Sequence, residues 1–410
     1  MNFFFKDPEK NILHSWDNLI NDLKRTNIYN PYCKSDDFYI VFKQIVFSML
    51  LEKEIVLLDS DFTNDELEKL TGHSQYEKFN EVLNQDDFQI NNKGELIERL
   101  RNTKDKWKIT LFTSGTTGLP KKVTHNFRTI TRFVKYYDNN KNVWGFAYNP
   151  THMAGVQVFL QALLNGSSIV KLFGLPSNKI HEEINKSGIT HISATPTFYK
   201  LLLPCDLTFH SVQRITFGGE RFSEQIIVQL KRIFPNAKIT NVYASTEAGT
   251  IFASDNEVFY IKPEYENLIR IENNELLIHS SLMGSSDINI KEWYNTGDLI
   301  EIVSKNPLKF RFLSRKSDMI NVGGYKVNPL EVEDAIFELP GVRNVRVYSK
   351  SNSVLGNIIC CEIVCDKNTT LNEASIRTFL QSKIQEFKIP RIIRFVNEIS
   401  KTRTGKIKRN

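Results

Sequence analysis

The chain has 410 residues, enough for two or three domains with an ample hydrophobic core. Hydrophobic residues make up 41% of it and charged residues 24%, which is typical of globular proteins and excludes a collagen-like or low-complexity chain. The net charge of +6 is the difference between 53 basic and 47 acidic side chains. Because this excess is small, we expect no nucleic-acid partner; it suits anionic small molecules or an acidic protein.

The five cysteines are unevenly spaced and form no CxxC pair, so we expect neither a zinc site nor a redox motif. Cys360 and Cys365 lie in or beside the apolar run 358–364 and are predicted to be small core residues in a reducing compartment. The N-terminal apolar run 3–5 ends at a lysine, so we predict neither a signal peptide nor a membrane span. We therefore expect a cytoplasmic protein.

The predicted elements of the first 250 residues change character near residue 105. Residues 1–105 are charged and helix-rich, with helical apolar spacing over 38–51 and a strand pattern over 54–59. Further along, strands are predicted at 108–112, 122–125, 168–173, 191–194, 214–217 and 238–243, and helices at 155–164, from 197, and from a cap at Ser223 to 234. This alternation indicates a mostly parallel, doubly wound sheet, whose ligands bind at the carboxyl ends of strands. The loops that begin at Gly218 and Ala244 are predicted to lie there.

The pattern changes after residue 255 to short strands such as 275–279 and 309–313. After the polar stretch 314–318, a compact unit is predicted with helices 329–338 and 371–385 and strands 342–348 and 357–365. We place the domain boundary in the polar stretch. The predicted fold class is α/β, with a large N-terminal domain of mostly parallel, doubly wound sheets (1–314) and a small α+β C-terminal domain (318–410).

The segment 113–122, TSGTTGLPKK, is the most informative in the first half of the chain. Hydroxyls and unhindered backbone N–H groups can wrap phosphate oxygens, glycine permits close approach, and Lys121 adds a mobile positive charge. It is not a Walker A loop, because Gly115 is followed five residues later by Pro120 rather than by Gly-Lys-Ser/Thr. An ordinary polar turn is the alternative, and the ordered string argues against it.

Two further segments carry groups suited to a nucleotide. In 241–249, Tyr243 at a strand end can cover a purine ring, while Thr246 and Glu247 suit phosphate and Mg²⁺. In 294–299, the carboxylate of Asp298 on a glycine turn can accept hydrogen bonds from both ribose hydroxyls. Taken alone, each carboxylate has an ordinary explanation, as the end of a turn or as an acid at a helix N-terminus.

The last two segments lie near the C-terminus. One is 315–333, with Gly323-Gly324, and the other is 401–407, with Lys406. A hairpin would explain the glycines and a solvated basic tail would explain the lysine. The joint occurrence of all five segments, in this order and at these separations, argues against five separate ordinary explanations.

These five segments resemble the adenylate-forming superfamily: acyl-CoA synthetases, adenylation domains of nonribosomal peptide synthetases, and luciferases. The resemblance covers about residue 107 to the end, is highly specific for the superfamily and poorly specific for any substrate. It implies a compact acid–thiol ligase (an acyl-CoA or acyl-carrier-protein synthetase) that uses ATP and Mg²⁺ to convert a carboxylic acid into an acyl-adenylate, with release of pyrophosphate. The acyl group then passes to the thiol of CoA or of a carrier-protein phosphopantetheine, so an acyl carrier protein is a candidate partner.

The resemblance also implies a role for each matching residue. The β- and γ-phosphates are held by Thr113, Ser114, Gly115, Thr116, Thr117, Gly118 and Lys121, and the rest of the nucleotide site comprises Gly218, Gly219, Glu220, Tyr243, Ala244, Ser245, Asp298 and Arg315. Within that site Tyr243 stacks on adenine and Asp298 binds the ribose hydroxyls with the assistance of Arg315. Thr246 contacts the α-phosphate and Glu247 binds Mg²⁺.

Three more positions take roles from the same resemblance. Lys406, on the mobile C-terminal domain, bonds the substrate carboxylate and the α-phosphate during the first half-reaction. After the small domain swings, Gly323 and Gly324 shape the channel for the thiol. His152 matches the position that gates the acyl pocket, although a core histidine at a helix start explains it equally well.

The chain departs from the family pattern in ways that matter for the acyl site. Ala244 stands where glycine is usual, and its methyl group would make the acyl pocket shallower. The chain is short before the phosphate loop and between Glu247 and Tyr294, so the N-terminal subdomain (about 1–105) is predicted to be trimmed. That would leave the acyl site open or covered by a partner.

Two other functions stay open. A stand-alone amino-acid adenylation protein would place its amino-group-anchoring aspartate near 155–158, where the chain has no acid. A nonenzymatic nucleotide-binding relative would lack Glu247, Asp298 or Lys406, and all three are present.

Overall fold

The computed structural model describes residues 3–73, 76–83, 89–113, 120–137, 141–219, 224–286, 292–352, 356–366, 369–400 and 407. Five groups of predicted residues lie outside this description: 114–119 of the phosphate loop, Glu220, the helix cap Ser223, the catalytic candidate Lys406, and the remainder of its segment except Ile407.

The helices are α1 Trp16–Arg25, α2 Phe38–Leu51, α3 Asn64–Thr71, α4 Lys93–Arg101, α5 Phe127–Thr131, α6 Met153–Leu163, α7 Ser177–Lys186, α8 Pro196–Leu201, α9 Glu224–Ile233, α10 Pro329–Phe337 and α11 Glu373–Gln381. The strands of the first half are β1 Phe5–Asp7, β2 Ile12–His14, β3 Ile28–Tyr29, β4 Tyr32–Lys34, β5 Ile55–Leu58, β6 Glu81–Val82, β7 Lys108–Phe112, β8 Lys122–Asn126, β9 Val143–Phe146, β10 Ser168–Lys171 and β11 His191–Ala194. Those of the second half are β12 Arg214–Gly218, β13 Lys238–Ser245, β14 Gly249–Ser254, β15 Phe259–Tyr260, β16 Ile269–Glu272, β17 Glu275–His279, β18 Ser285–Ser286, β19 Trp293–Lys305, β20 Leu308–Arg315, β21 Ile320–Val322, β22 Tyr325–Val327, β23 Val342–Asn352, β24 Gly356–Cys365 and β25 Ile392–Phe395.

The largest sheet is the predicted doubly wound sheet. Its strand order is β14-β13-β12-β11-β9-β10-β1-β2, and the pairs from β13 to β1 are all parallel. Only its outermost pairs, β13 with β14 and β1 with β2, are antiparallel. Helices α6 to α9 supply the connections between the parallel strands, as the alternating sequence pattern predicted. The carboxyl ends of β12 and β13 therefore lie side by side.

A second sheet has the order β18-β8-β7-β5-β4 and is joined to the first by a shared layer of helices. One hydrophobic cluster contains side chains of both sheets together with α1, α2 and α6. Between α2 and α6 the rings of Phe42 and Phe159 stack with centroids 4.1 Å apart. Helix α2 is buried on most of its surface, because apolar residues occupy nearly all of its positions rather than one stripe.

Most of the remaining chain forms an antiparallel sheet, β15-β20-β19-β17-β16, and a C-terminal unit built on β23-β24-β25. Strand β3 pairs with β6, and β21 with β22, in two small sheets. The C-terminal unit has its own core, in which α10 and α11 pack on the sheet. The predicted helix 371–385 was too long: α11 ends at Gln381, and a 3-10 turn follows at Glu386–Lys388. The division into domains at 314–318 stays a prediction.

Two smaller expectations from composition can be compared with the structure. Cys360 is fully buried as predicted, whereas Cys365 is half-buried, and both thiols are free. Within the described part of the chain, no helix is long and apolar enough to cross a membrane.

Candidate active site

The first group of predicted site residues meets at Asp298. This carboxylate accepts a hydrogen bond from the Tyr243 hydroxyl (Oη to Oδ2, 2.6 Å) and pairs with the Arg315 guanidinium (Nε to Oδ1, 3.0 Å). The arrangement follows from strand register, because Asp298 on β19 is the direct cross-strand partner of Arg315 on β20. Before it, Gly297 has a φ of +70°, a conformation that favours glycine, and this turn aims the carboxylate at Tyr243.

The Asp298 side chain is only 8% exposed, so its charge needs these partners. A carboxylate offers about four acceptor positions, and Tyr243 and Arg315 take one on each oxygen. Each oxygen thus keeps capacity for one more donor. Burial, followed by the Asp298 carboxylate, raises the pKa of Tyr243 well above its usual value, so the hydroxyl stays a donor at neutral pH.

The orientation of the Tyr243 ring is fixed by packing against Phe312 on β20. The two rings stack with centroids 4.2 Å apart and an interplanar angle of 10°. The register of β13 and β14 shifts between Tyr243 and Ala244, which turns the chain away from the sheet where the predicted site begins. The structure thus joins segments from β13, β19 and β20 in one place.

Glu247 lies in the turn between β13 and β14. The Tyr294 hydroxyl donates to its Oε1 over 3.3 Å, and this is its only side-chain hydrogen bond from the described residues. Burial and the nearby Glu247 carboxylate raise the pKa of Tyr294 to about 12. In the same turn Ser245 Oγ accepts from the backbone N–H of Ala248 over 3.1 Å, which fixes the local shape.

His152, the candidate acyl gate, belongs to a second group that the sequence analysis missed. Its Nε2 lies 3.1 Å from Oδ2 of Asp59, and the two side chains are 14% and 7% exposed. Asp59 Oδ1 accepts hydrogen bonds from the Thr151 hydroxyl and from Asn149 Nδ2 (3.2 Å), whereas His152 Nε2 is close to Oδ2 without the geometry of a hydrogen bond. Asp59 follows β5 directly, so it links the second sheet to the loop that precedes α6.

The signal for Asp59 was present in the sequence. It stands at the carboxyl end of the apolar parallel strand β5, the position that drew attention to Gly218 and Ala244. Helix α6 packs tightly on the same loop: a Cβ at Gly155 would lie 2.1 Å from the Asn149 carbonyl oxygen.

The other predicted residues lie at strand ends and turns. The base of the phosphate loop is closed by Thr113 and Lys121, through Thr113 N–H to the Lys121 carbonyl (2.9 Å) and Lys121 N–H to Thr113 Oγ1 (3.2 Å). Gly218 ends β12, and Gly219 after it has a φ of +83°.

Gly323 and Gly324 form the turn between β21 and β22, where their φ values are +56° and +91°. Gly324 N–H donates to Asn321 Oδ1 over 3.1 Å. Beside this turn, a cavity of about 160 Å³ is lined by Val322, Gly323, Tyr325, Ile359, Phe387, Ile389 and Arg391.

Two family profiles match this chain. The profile described as AMP-binding enzyme matches residues 43–268, and the one described as AMP-binding enzyme C-terminal domain matches residues 331–406. The chain is 24% identical to the 2-succinylbenzoate–CoA ligase of Staphylococcus aureus (strain Newman), over 96% of this chain and 84% of the relative. It is also 24% identical to the putative long chain fatty acid-CoA ligase VraA of Staphylococcus haemolyticus, over 96% of this chain and 86% of the relative.

Solved structures agree on the fold. ATP-bound MatB from Rhodopseudomonas palustris superposes with a TM-score of 0.72 at 17% identity, covering 99% of this chain and 94% of that one. The o-succinylbenzoate CoA synthetase MenE from Bacillus subtilis, in complex with its acyl-adenylate intermediate, gives 0.68 at 16% identity over the same shares.

The chain belongs to the AMP-binding enzyme family. The predicted superfamily and fold class are confirmed. So is the predicted class of enzyme: an AMP-forming acid–thiol ligase that activates a carboxylic acid with ATP as an acyl-adenylate and transfers the acyl group to a thiol.

Proposed function

We propose that this chain activates a small carboxylic acid other than an amino acid with Mg-ATP and transfers the acyl group to CoA. The observation that carries the proposal is the convergence on Asp298, where Tyr243 and Arg315 bond one carboxylate from different strands. A buried carboxylate with one acceptor position left on each oxygen suits a vicinal diol, as in ribose. The stacked, rigid ring of Tyr243 beside it suits adenine.

The remaining nucleotide roles follow from this placement. Thr113 and Lys121 close the base of the loop 114–119, which we assign to the β- and γ-phosphates. Gly218 and Gly219 line the adenine and acyl sites beside Tyr243. Thr246 is assigned to the α-phosphate, because it lies next to Glu247 in the turn that follows the Tyr243 strand.

Glu247 is the residue that would hold Mg²⁺. Magnesium is usually bound in proteins by one or two carboxylates together with substrate phosphates, and Glu247 Oε1 accepts only the Tyr294 hydroxyl among the described side chains. The donor set therefore fits the ion. When bound, Mg²⁺ supplies positive charge that offsets the charge of the phosphates and of departing pyrophosphate.

The first half-reaction brings two anions together, since the substrate carboxylate attacks the α-phosphorus of ATP. The reaction requires orientation and charge, and no protein nucleophile. We assign this role to the ammonium group of Lys406, which pairs with the substrate carboxylate and an α-phosphate oxygen. Preorganised charge of this kind is worth roughly 10²–10³ in rate.

The second half-reaction transfers the acyl group to a thiol, which displaces AMP. Gly323 and Gly324 line the approach of the thiol, because only backbone then crowds it. CoA is the proposed acceptor, since the relatives are named as CoA ligases. Holo acyl carrier protein is the alternative that the experiment below includes.

Helix α6 bears on the class of acid. The stretch 155–158 has no acidic residue to anchor an amino group, and the amide of Gln157 accepts a hydrogen bond from the Thr250 hydroxyl (3.0 Å). His152, held beside Asp59, is the proposed gate of the acyl pocket. The relatives are named for different acids, so they favour no particular one. A cytoplasmic location stays a prediction.

The test is hydroxylamine-trapped pyrophosphate release with Mg-ATP over short, medium, long-chain, aromatic and amino acids, repeated with CoA and with holo carrier protein. We expect release with one class of non-amino acid, and thioester formation with CoA. Glu247→Gln should raise the Mg²⁺ concentration for half-maximal rate by about tenfold or more, the value of one lost bond to a charged group. Glu301→Gln, an exposed glutamate paired with Arg311, is the matched control.

Three results would contradict the proposal. If an amino acid were the preferred substrate, the proposed class of acid would be wrong. If thioester formed with carrier protein alone, the proposed acceptor, CoA, would be wrong. Absence of pyrophosphate release across the panel, with ATP still bound, would support the nonenzymatic alternative.

A further inference from the structure

His125 is a buried histidine outside every predicted site. It lies on β8, the strand that leaves the phosphate loop, and its exposure is 0%. Its Nε2 is 2.8 Å from the carbonyl oxygen of Thr246. A carbonyl can only accept, so Nε2 carries the proton and donates.

The other ring nitrogen completes the assignment of the imidazole. Nδ1 lies 3.2 Å from the Thr129 hydroxyl, at the start of the helix that follows β8. Burial lowers the pKa of His125, which favours the neutral ring. In the neutral ring Nε2 donates to the Thr246 carbonyl oxygen, and the unprotonated Nδ1 faces the Thr129 hydroxyl, which itself donates to the Asn126 carbonyl oxygen over 3.1 Å.

A second contact holds the next carbonyl of the same turn. The backbone N–H of Gly284 donates to the Glu247 carbonyl oxygen over 2.8 Å. Gly284 is followed by β18, which pairs with β8 through Ser285 and Thr124. The carbonyl groups of the consecutive residues Thr246 and Glu247 therefore both accept hydrogen bonds, one from His125 on β8 and one from Gly284 beside it.

The glycine and the histidine are packed against each other. A Cβ at Gly284 would lie 2.8 Å from Cε1 and Nε2 of His125 and 2.8 Å from the Thr124 carbonyl oxygen. Real Cβ atoms do not approach that closely, so a side chain at 284 would displace the imidazole or the strand. Only glycine allows both bonds to the turn to form at once.

We propose that His125 is a positioning residue for adenylation: through its Nε2–H it fixes the Thr246–Glu247 turn and couples that turn to the strand leaving the phosphate loop. The proposal rests on the proposed function, in which this turn supplies the α-phosphate and Mg²⁺ contacts. His125 itself touches neither substrate nor metal. Its effect is to keep two ATP-binding segments at a fixed separation.

The coupling predicts a selective kinetic effect. Misplacement of a substrate-positioning group by about 1 Å can cost on the order of 10²-fold in rate. We therefore expect His125→Ala to slow adenylation by about 10- to 100-fold and to raise the KM for Mg-ATP. Thioester formation from supplied acyl-adenylate uses neither the β- and γ-phosphates nor the metal. It keeps only the α-phosphate contact of Thr246, so it should fall by less than about fivefold, the value of one neutral hydrogen bond.

Two conservative variants separate hydrogen bonding from space filling. The amide nitrogen of glutamine can replace Nε2 of the ring, whereas that of asparagine is too short and mimics Nδ1. His125→Gln should recover adenylation to within about fivefold of the unsubstituted protein, the cost of a weaker neutral hydrogen bond, while His125→Asn should behave as His125→Ala. His181→Gln, which removes the partly buried imidazole of α7, far from the Thr246–Glu247 turn in sequence, is the control.

Both half-reactions and the thermal unfolding midpoint, Tm, would be measured for every variant. If His125→Ala does not fold, Gly284→Ala tests the same turn, because the added methyl displaces His125 without removing it; adenylation should again fall by more than thioester transfer does. Three results would overturn the proposal: unchanged adenylation with a lower Tm, equal losses in both half-reactions, or equal activity of the Gln and Asn variants. Lack of adenylation by the unsubstituted protein would instead refute the proposed function.

Discussion

Replacement of Asp298 by asparagine is the sharpest test of the proposed ribose site, because the change removes a charge and preserves shape. The carboxylate bonds Tyr243 and Arg315 and retains one acceptor position on each oxygen for the two ribose hydroxyls. Asparagine keeps a single acceptor oxygen and presents N–H donors at the other position. One ribose hydroxyl therefore loses its partner, and the remaining bond is to a neutral group.

The expected magnitude follows from the lost bond. A hydrogen bond to a charged group contributes about 1.5–3 kcal/mol net, which corresponds to roughly a 10- to 150-fold weaker affinity for ATP. Asp298→Ala removes both ribose bonds and should cost about twice that free energy. Isothermal calorimetry with Mg-ATP would give the dissociation constants directly, without turnover if the acid is left out.

Tyr243→Phe is the matched comparison for Asp298→Asn. It deletes the donor to Oδ2 but keeps the ring stacked on Phe312, and it frees an acceptor position rather than removing one. We expect a loss of ATP affinity below about fivefold, because the deleted bond joins two protein groups and both acceptor positions for the ribose hydroxyls remain. An Asp298→Asn protein that folds normally and binds ATP with unchanged affinity would refute the assignment and move the ribose site elsewhere.

Three other outcomes are expected. Lys406→Ala should slow adenylation by about 10²–10³ while leaving thioester formation from supplied acyl-adenylate largely intact, as measured by separate assays of the two half-reactions. Asp59→Asn removes the charge beside His152 and should raise the KM for the acid by about tenfold with little change in the KM for ATP. Burial, and to a lesser extent the positive charge of Arg214, lowers the pKa of His191 to about 4. The free energy of unfolding should therefore decrease by roughly 3 kcal/mol as the pH falls from 6.5 to 4.

The sign of the last prediction follows from proton binding. The unfolded chain binds a proton at His191 below about pH 6.5 and the folded chain only below about 4, so acid favours unfolding in that interval and the difference is constant above it. His191→Gln should remove this part of the pH dependence in urea titrations. If the free energy of unfolding changed with pH as steeply as in the unsubstituted protein, His191 would be excluded as the source.

Lys408→Ala is the control for Lys406→Ala. Equal loss of both half-reactions in Lys406→Ala would contradict the role of Lys406 in adenylation alone. For Asp59, an equal rise in both KM values would indicate a general structural defect.

Much of the architecture could be predicted because its strands and helices alternate with clear periodicity. Strand β11 begins and ends where the pattern placed it, since an apolar run between polar turns has few alternatives. The end of α11 could not be located, because residues 382–385 continue a plausible helical pattern and tertiary packing ends the helix earlier. Local periodicity does not contain that information.

The site was predictable where ordered motifs carry the chemistry, and less so where function depends on contacts between distant segments. Tyr243, Asp298 and Arg315 stand in recognisable segments, and the structure brings them together. Asp59 and His125 reach the site region only through pairings across 93 and 121 positions of sequence. The sequence places Asp59 at the end of a strand and His125 within one, but it does not show the contact that either residue makes.

Helix α2 has a consequence for attempts to divide or recombine this protein. Its buried surface lies between two sheets, and its Phe42 stacks on α6 of the later chain. A fragment that begins near residue 107 would expose that apolar surface on both sheets at once, and we expect such a fragment to aggregate. Exchange of the first hundred residues with those of a relative would require matching replacements on α6. In any redesign, the early segment and the α6 surface that it covers must therefore be changed together.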